Sequence, residues 1–458
     1  MTPLDADYLV VGAGAAGMAF TDALIDHADV RVVLIDRRSA PGGHWVDDYP
    51  FVRLHQASSF YGVASTLLGS GRLQESGPEK GLHERATQAE ICGYYDQVLR
   101  ERMVGSGRVS FHPGSDHLGG RVFTSLESGE RFEVSERARV VDARYLSPQI
   151  PALTPPPFGV ADGVRVVPVN DLPALGELPA EVVIVGSGKT ATDACLWLLD
   201  QGVDPGAIVW IRPRDPWMYN RATLQPDPIV FLQMATDLMA AAAAATDPDD
   251  LFLRLEDAGV MLRLDRSVTP TMAKTPTIAQ WEVDALKTIE RVVRLGHLKQ
   301  VEPGRLVLQD GDVPIARDAL IVHCAASGLR YSPLVPIWRP DVITVQPVRA
   351  GFPCFGAALS GFVEATINDD ADKNRLCQPS PYSDTPADWP RMQVVGAMAS
   401  QAYGGHPEIK AYADMIALSP NRVPAELVGS PELAEVAGRF RQVIGPGVAR
   451  LAELAGLS

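Results

Sequence analysis

The sequence predicts an α/β protein with two doubly wound parallel sheets, each entered through its own glycine-rich turn. Three observations predict this fold. The chain has 458 residues, too many for one ordinary core, and two strand–turn–helix patterns begin at Gly12 and Gly186. In both patterns a β-branched run ends at a glycine, a helix-like stretch follows, and a second β-branched run comes next. A strand, a crossover helix and a parallel strand in this order form a Rossmann-type unit.

The first unit carries the fingerprint Gly-Ala-Gly-Ala-Ala-Gly directly after the apolar run at 8–11. Gly12 permits the tight turn, Gly14 lets the backbone approach a pyrophosphate, and Gly17 lets helix and strand pack closely. An acid after the second strand can accept hydrogen bonds from ribose hydroxyls. The unit is therefore expected to bind a dinucleotide rather than to be a purely structural turn. Its predicted contacts are Gly12, Gly14, Ala16, Gly17, Asp36 and Arg37.

The second unit carries Gly-Ser-Gly-Lys-Thr-Ala at 186–191. The string Gly-Lys-Thr also suggests a triphosphate-binding loop, but that motif needs a glycine where Val183 stands. The segment is thus expected to be a second dinucleotide site. Lys189 is either a phosphate ligand or an exposed lysine, since a cation opposes the helix dipole there. The predicted contacts are Gly186, Gly188, Lys189 and Thr190.

No acid follows the strand at 208–211, which instead ends in Arg212, with Arg214 just beyond. A guanidinium suits the 2′-phosphate of NADPH through paired, charge-assisted hydrogen bonds. NADPH is therefore favoured over NADH, and the alternative is that both arginines are solvated loop charges. Asn220 and Arg221 are expected to extend the same nucleotide loop.

Composition excludes several classes of function. A net charge of −15 repels nucleic acids and anionic membranes, so neither is expected as a partner. The five cysteines are scattered without a close pair, which argues against a zinc site, a disulfide framework and a dithiol reductase. No apolar run approaches the length of a membrane span and no signal peptide is recognised, so the cytoplasm is the expected location.

Further motifs give the chain a family resemblance. Gly42-Gly43-His44-Trp45 and Tyr49-Pro50 follow the first acid, an Arg-x-Pro-x-Trp-like element spans 212–217, and Ala326-Ser327-Gly328 follows a late strand. In these motifs, from about residue 7 to 335, the chain resembles flavoproteins with two dinucleotide domains. Within them it is most similar to flavin-containing and Baeyer–Villiger-type monooxygenases. It departs from them in its linker, which lacks the central histidine of Baeyer–Villiger enzymes. A divergent bacterial branch, loosely labelled pyridine nucleotide-disulfide oxidoreductase-like, is indicated, and a ketone substrate is unsupported.

The resemblance implies an FAD domain over 1–165 and 325–458. An NADP domain over 166–324 is inserted into it, with a helical insertion at 228–295. The resemblance also implies that the cofactor contacts include Gly43, His44, Trp45, Ser327 and Gly328. The implied chemistry is hydride transfer from NADPH to FAD and formation of a C4a-(hydro)peroxyflavin with O2. This adduct would then oxygenate nitrogen or sulfur of a small molecule.

Two alternatives stay open: a flavin reductase, dehydrogenase or oxidase without oxygen transfer, and a non-catalytic redox sensor. The catalytic candidates are His55 and Gln56, which follow the Tyr-Pro pair, although His55 could equally be an ordinary loop histidine. A homodimer is also left open.

Four further expectations concern local secondary structure and the burial of particular side chains. A capping box at 87–90 predicts the start of a helix, and short strands between 108 and 145 predict a small meander. The aromatic residues Phe60, Tyr61, Tyr94 and Tyr95 are expected in the core. The acids Glu364, Asp369 and Asp370 are expected on a solvated face, because no histidine or cysteine accompanies them as a metal ligand.

Overall fold

The computed structural model describes residues 1–326, 328–329 and 332–457. The strands are β1 (Thr2–Leu4), β2 (Tyr8–Val11), β3 (Val32–Ile35), β4 (Val109–His112), β5 (Ser115–Gly119), β6 (Val122–Ser125), β7 (Arg131–Val134), β8 (Arg139–Asp142), β9 (Gly159–Val160), β10 (Arg165–Pro168), β11 (Val182–Val185), β12 (Ile208–Ile211), β13 (Pro216–Asn220), β14 (Met261–Arg263), β15 (Met272–Ile278), β16 (Val292–Val293), β17 (Leu298–Glu302), β18 (Arg305–Leu308), β19 (Gly311–Pro314), β20 (Leu320–His323) and β21 (Val342–Thr344). The α-helices are α1 (Ala15–His27), α2 (Gln88–Gln97), α3 (Lys189–Asp200), α4 (Pro228–Ala244), α5 (Pro248–Asp257), α6 (Gln280–Leu286), α7 (Pro353–Thr366), α8 (Asp370–Leu376), α9 (Trp389–Gly404), α10 (Pro407–Met415) and α11 (Pro431–Leu454).

The first large sheet has the strand order β21-β8-β2-β3-β4, and all its pairs are parallel. Its central strands read as continuous β-branched runs because both faces of a parallel sheet are covered. Helix α1 crosses from β2 to β3 and packs closely on α7. A Cβ on Gly361 would lie 2.4 Å from the carbonyl oxygen of Phe20, so the two helices approach through a glycine.

The second large sheet has the order β10-β20-β11-β12-β16, and it too is entirely parallel. All of its strands fall between β8 and β21, so the chain leaves the first sheet, builds the second and then returns. The fold is therefore mixed α/β with two Rossmann-type sheets, as the sequence predicts. The exact limits of the two domains stay a prediction.

Three smaller sheets flank these two. They have the orders β1-β7-β6-β5, β14-β13-β15 and β19-β18-β17-β9. The predicted meander is confirmed, since β5, β6 and β7 pair in an antiparallel manner. The expectation that 228–295 is mostly helical is only partly right. This segment contains α4, α5 and α6, but it also contains β14, β15 and β16, and β15 joins β13 beside the second sheet.

The predicted capping box is also confirmed. Thr87 accepts a hydrogen bond from the backbone of Glu90, and the Glu90 carboxylate accepts one from the backbone of Thr87. Helix α2 passes directly into a short π-helical segment at Val98–Met103. The four aromatic residues expected in the core are all buried.

The solvated-face prediction is wrong for Glu364. Its side chain is buried, and it accepts hydrogen bonds from Tyr8 Oη (2.7 Å), Trp338 Nε1 (2.8 Å) and Lys373 Nζ (2.6 Å). Arg139 Nη1 lies 3.2 Å from the same carboxylate. The acid therefore ties α7 and α8 to the first sheet. The error arose because the partners of Glu364 come from distant segments.

The longest helix, α11, packs along α4. Among the described residues, no helix combines the length and the apolar character needed to cross a membrane.

Candidate functional site

The first glycine fingerprint forms the turn between β2 and α1. Gly12 has a φ of +107°, which favours glycine, and a Cβ on Gly17 would lie 1.8 Å from the carbonyl oxygen of Gly12. Gly14 is the N-cap of α1, and no side chain accepts a hydrogen bond from the first turn. The backbone N–H groups of this turn, including that of Ala16, are therefore available to an anionic ligand.

A second glycine loop lies against this turn. Gly42 donates its N–H to the carbonyl of Ala13 (2.9 Å), and a Cβ on Gly43 would lie only 2.9 Å from the Cα of Gly14. Trp45 is buried and donates its indole N–H to Tyr61 Oη (2.7 Å). Two segments about 30 residues apart in sequence thus form one glycine-lined cradle, which any larger side chain would fill. His44, by contrast, pairs with Asp48 at 2.7 Å.

Asp36 is buried at the end of β3, beside this cradle. Its carboxylate accepts hydrogen bonds from the N–H groups of Ala13 (2.7 Å) and Arg38 (2.9 Å), so it holds the fingerprint turn in place. Arg37 is mostly exposed, with Asp116 3.4 Å away. The acid therefore lies next to the first predicted site, whereas the neighbouring arginine extends towards solvent.

The second fingerprint repeats this geometry between β11 and α3. Gly186 has a φ of +140°, and a Cβ there would lie 3.0 Å from the carbonyl oxygen of Cys324. Gly188 is the N-cap of α3, again without a side-chain cap, and a Cβ there would meet no atom within 4 Å. Thr190 is half-buried in the first turn. This helix start, like that of α1, leaves backbone donors free for an anion.

The two arginines predicted to bind a 2′-phosphate lie in different environments. Arg212 is buried, its Nη2 lies 2.7 Å from Asp215, and its guanidinium packs over the ring of Trp210. Burial lowers the pKa of Arg212, although Asp215 opposes the shift. Asp215 and Trp210 thus enclose Arg212, and its contact with a 2′-phosphate stays a prediction. Arg214 is partly exposed, and its backbone N–H donates to Ser187 Oγ (3.4 Å) within the fingerprint.

Arg221 also has partners other than those expected. Its guanidinium is fully buried and forms ion pairs with Glu79 and with Glu282 (2.7 Å). Arg85 adds a bidentate pair to Glu79, with two N–O distances of 2.9 Å. We call Glu79, Arg85, Arg221 and Glu282 the ion cluster. Asn220 caps a short turn by accepting a hydrogen bond from the N–H of Ala222, and the predicted nucleotide contacts of Asn220 and Arg221 stay predictions.

The ion cluster is electrostatically balanced. Burial opposes the ionisation of Glu79, but the guanidiniums of Arg221 and Arg85 outweigh it and lower the pKa of Glu79 to about 2. The pKa of Glu282 is lowered in the same way, against burial, by Lys189 and the two arginines. Both acids are therefore ionised at neutral pH. Sequence analysis missed both acids and Arg85, because no motif or spacing links these segments.

The arginines of the ion cluster donate hydrogen bonds to the backbone at His55 and at the residue before it. Arg85 donates to the carbonyl of Leu54 (2.9 Å), and Arg221 Nε donates to the carbonyl of His55 (2.9 Å). Thr277 contributes twice: its hydroxyl donates to the same His55 carbonyl, and its backbone N–H donates to His55 Nδ1 at 3.3 Å. Burial, assisted by nearby cations, lowers the pKa of His55 to about 3. His55 is thus a neutral side chain with a fixed orientation.

Three other predicted residues are placed as follows. Gln56 is buried next to His55. Gly328 has a φ of +62° and accepts a hydrogen bond from the N–H of Gln149 (2.9 Å), which ties the late loop to the segment after β8. Ser327 lies outside the described residues.

Lys189 links the helix of the second fingerprint to the loop that follows the first glycine cradle. It pairs with Asp193 one helical turn later, and Asp193 accepts a hydrogen bond from Tyr49 Oη (2.8 Å) in the loop after the first cradle. The Lys189 side chain is largely buried, which excludes the simple exposed-lysine alternative. Its role as a phosphate ligand stays a prediction.

A cleft of about 610 Å³, a volume that suits a small molecule, lies beside the ion cluster. Its walls come from the loop after Tyr49, the loop at 74–87, and the helices α3 and α6. Aromatic side chains line it, including Phe51 and Trp197, whose rings stack at 5.2 Å, and Trp281. Lys189 and the ion cluster residue Glu282 form part of its polar lining. The cleft thus joins both halves of the molecule.

The cysteines contribute no reactive pair. All five are free, and burial raises the pKa of each thiol, to about 12 for Cys354. Within the part of the chain that the structure describes, no cluster of three or more His, Cys, Asp or Glu side chains could hold a metal ion.

Comparison with known proteins gives a family and a fold. The NAD(P)-binding Rossmann-like domain family matches residues 10–54, the segment that holds the first fingerprint and the glycine cradle. Uncharacterised proteins of Mycobacterium tuberculosis and Mycobacterium bovis are 45% identical to the chain over 392 residues, which cover 85% of this chain and 73% of theirs.

Among solved structures, the chain is similar to a polycyclic ketone monooxygenase from the fungus Thermothelomyces thermophila. The TM-score is 0.53 at 14% identity, and the match covers 100% of this chain and 88% of the fungal chain. At 14% identity this similarity shows a shared fold and no more.

Proposed function

The chain belongs to the same protein family as these mycobacterial proteins, and from this premise and its fold we propose that it is an oxidoreductase using FAD and NADPH. The observation that carries the proposal is the pair of glycine turns, one on each large parallel sheet. Each turn opens a helix whose first-turn N–H groups have no side-chain cap. One such turn is a common structural feature, but one on each of two parallel sheets fits two dinucleotides.

FAD fits the first turn. A pyrophosphate needs close backbone approach and free N–H donors, and the cradle of Gly14 and Gly43 offers both. Asp36 lies at the strand end where ribose hydroxyls are bound in this type of fold. When bound, FAD would accept a hydride from the nicotinamide and pass electrons to O2.

The nicotinamide dinucleotide fits the second turn. Gly188 has open space around it, and Arg214, next to Ser187, is the remaining guanidinium that could reach a 2′-phosphate. Arg214 already donates to Asp384 (2.8 Å) and to the carbonyl of Thr271 (2.8 Å), so part of its hydrogen-bonding capacity is used. NADPH as the preferred donor therefore depends on Arg214.

We place the oxygenation of a small molecule in the cleft between the halves, with nitrogen or sulfur as the atom oxidised. The motif resemblance to flavin-dependent monooxygenases supports this choice over a reductase or oxidase. The protein's part is to bind the substrate, to exclude water and to orient both reactants. Aromatic side chains such as Phe51, Trp197 and Trp281 would supply the apolar contact.

Cofactor assignment can be tested by a reciprocal pair of substitutions. Gly14→Val should abolish FAD binding, because a Cβ at this position would lie 3.3 Å from the Cα of Gly43. NADPH affinity should persist in this variant. Gly188→Val should leave FAD content near one per chain and weaken NADPH binding at least tenfold. Flavin absorbance and NADPH titration measure the two outcomes, and circular dichroism checks folding. Full flavin in folded Gly14→Val protein would contradict the assignment.

Donor preference is tested at Arg214. Arg214→Gln should raise the KM for NADPH about tenfold and leave that for NADH unchanged, since one charge-assisted contact is worth about 1.5–3 kcal/mol. Arg305→Gln, on the separate sheet of β17–β19, is the matched control. An unchanged NADPH/NADH ratio would remove Arg214 from the site.

Oxygenation itself is tested with isotopically labelled O2. NADPH consumption with a panel of amines and thioethers should give products that carry one labelled oxygen atom. Rapid NADPH oxidation that yields only hydrogen peroxide with every compound would favour an oxidase or reductase. No turnover at all by protein that binds both cofactors would favour a redox sensor.

A further inference from the structure

The hydrogen bonds around His55 determine which of its ring nitrogens carries the proton. A backbone N–H can only donate, and that of Thr277 donates to His55 Nδ1 at 3.3 Å. Nδ1 is therefore the unprotonated, accepting nitrogen, and the proton of the neutral ring resides on Nε2.

The backbone of His55 is held just as firmly. Its carbonyl accepts from Arg221 Nε (2.9 Å) and from the hydroxyl of Thr277, while the preceding carbonyl accepts from Arg85 (2.9 Å). Four hydrogen bonds from β15, from the segment after β13 and from the loop at 74–87 thus converge on two consecutive residues. Rotation of the imidazole to present Nδ1 would break the contact with Thr277.

Charges around the ring act in the same direction. Burial opposes protonation of the imidazole most, and the cations Lys189, Arg221 and Arg85 oppose it further. The acids nearest to these cations are already paired: Asp193 with Lys189, and Glu79 and Glu282 with the arginines. Protonation would also place an N–H on Nδ1 against the N–H of Thr277. Electrostatics and hydrogen bonding therefore both keep the ring neutral.

The other nitrogen has no such partner. Among the described residues, none accepts a hydrogen bond from His55 Nε2. His55 is only partly buried. A fixed N–H donor without a protein acceptor can serve an acceptor on a ligand.

We propose that His55 is a fixed neutral hydrogen-bond donor through Nε2, available to an electron-rich oxygen or nitrogen of a bound cofactor, and that it is not an acid or base. Thr277 and Arg221 are its positioning residues. This inference rests on the proposed function for the identity of the acceptor. The tautomer itself does not depend on that function.

The tautomer is tested by NMR of protein labelled with 15N at its nine histidines. The pair of signals that disappears in His55→Gln identifies His55. We expect the shifts of an Nε2–H tautomer, unchanged from pH 8 to pH 5. A proton on Nδ1, or titration near the ordinary value of about 6.5, would overturn the proposal.

Thr277 variants test the positioning role. Thr277→Ala loses the hydroxyl contact to the His55 carbonyl but keeps the backbone N–H that Nδ1 accepts, so the His55 ring signals should shift or broaden while its pKa stays low. Thr277→Ser keeps the hydroxyl and should restore the wild-type signals. If the alanine variant gives the wild-type signals, Thr277 does not position His55 through its hydroxyl.

The ligand is tested on the same signals. FAD is added to protein stripped of flavin, and NADP⁺ is added separately. A shift of the Nε2–H signal with FAD alone, or only with NADP⁺, identifies which cofactor supplies the acceptor. No shift with either cofactor would overturn the donor role.

Kinetics then separate a donor from a base. With NADPH oxidation as the readout, His55→Gln keeps an N–H donor and should stay within about tenfold of wild type, whereas His55→Leu should lose more. A base at this position would make both variants equally poor and the wild-type rate fall below about pH 6.5. If the Nε2–H tautomer is found but no NADPH is oxidised, the proposed function fails while the tautomer stands. If NADPH is oxidised but His55 titrates near its ordinary value, the proposal for His55 fails while the proposed function stands.

Discussion

Removing Arg221 should be among the most destabilising single changes in this protein outside the sheets. The Arg221→Ala variant leaves two buried carboxylates without their shared partner. Glu79 keeps the bidentate pair with Arg85. Glu282 keeps Arg85 at 4.0 Å, the N–H of Ala279 at 2.7 Å and the nearby charge of Lys189, but no close ion pair. The loss is therefore concentrated on Glu282, a charge that stays buried with little compensation. Breaking a buried ion pair in this way costs about 3–5 kcal/mol.

The measurement is urea unfolding at pH 7.5 with saturating FAD, followed by fluorescence. Arg100→Ala, which breaks an exposed pair with Asp96, is the control and should cost less than about 1 kcal/mol. Adding Glu282→Gln to Arg221→Ala removes the uncompensated charge, so the double variant should be more stable than the single one. If Arg221→Ala lies within about 1 kcal/mol of wild type, the ion cluster does not stabilise the fold as argued.

The same variant has a defined pH dependence. The pKa of Glu79 and that of Glu282 are lowered in the folded protein. Their stabilisation is therefore fully present above the unfolded value of about 4.5 and is lost as the pH falls below it. The difference in unfolding free energy between wild type and Arg221→Ala should therefore shrink as the pH falls from about 4.5 towards 2. A difference that grows towards acid pH would contradict this sign.

The remaining predictions concern packing and a second buried charge. Gly361→Ala should destabilise the protein by about 1–3 kcal/mol in thermal or urea unfolding, because its Cβ would meet the carbonyl of Phe20 at 2.4 Å. Gly438→Ala, in a helix with open space around the residue, should instead stabilise it by up to about 1 kcal/mol, and equal effects would refute the packing argument. Glu364→Gln should cost about 2–4 kcal/mol, because the buried Lys373 loses the closer of its two carboxylate partners, at 2.6 Å, and keeps only Asp370 at 3.1 Å. A loss no greater than that of the exposed Asp372→Asn would contradict this.

Much of the fold could be predicted from the sequence because it depends on short segments. The turn at Gly12 and that at Gly186 both require a positive φ, and the β-branched runs before them are continuous because their sheets are buried on both faces. The capping box at Thr87 involves residues only three positions apart. In each case the atoms that interact are neighbours in the chain.

The candidate site was predictable only in part. The glycines that shape the two helix starts were identified, because each carries its own backbone requirement. The roles of the arginines were not. Arg212 and Arg221 follow strands of the second unit as a nucleotide-binding arginine would, yet both are buried against acids. Glu79, which completes the ion cluster, lies in a turn-rich loop without any periodic pattern.

The sequence by itself determined the two sheets, their glycine turns and the helix starts, since backbone conformation and hydrophobic patterning are local properties. Only the tertiary structure decided where the charges are satisfied. Glu364 meets Tyr8 across 356 positions of the chain, and Arg221 meets Glu79 across 142. An ion pair depends on which segments the fold brings within a few ångströms, and burial then makes that pairing obligatory. The orientation of His55, held by Thr277 across 222 positions, was decided in the same way.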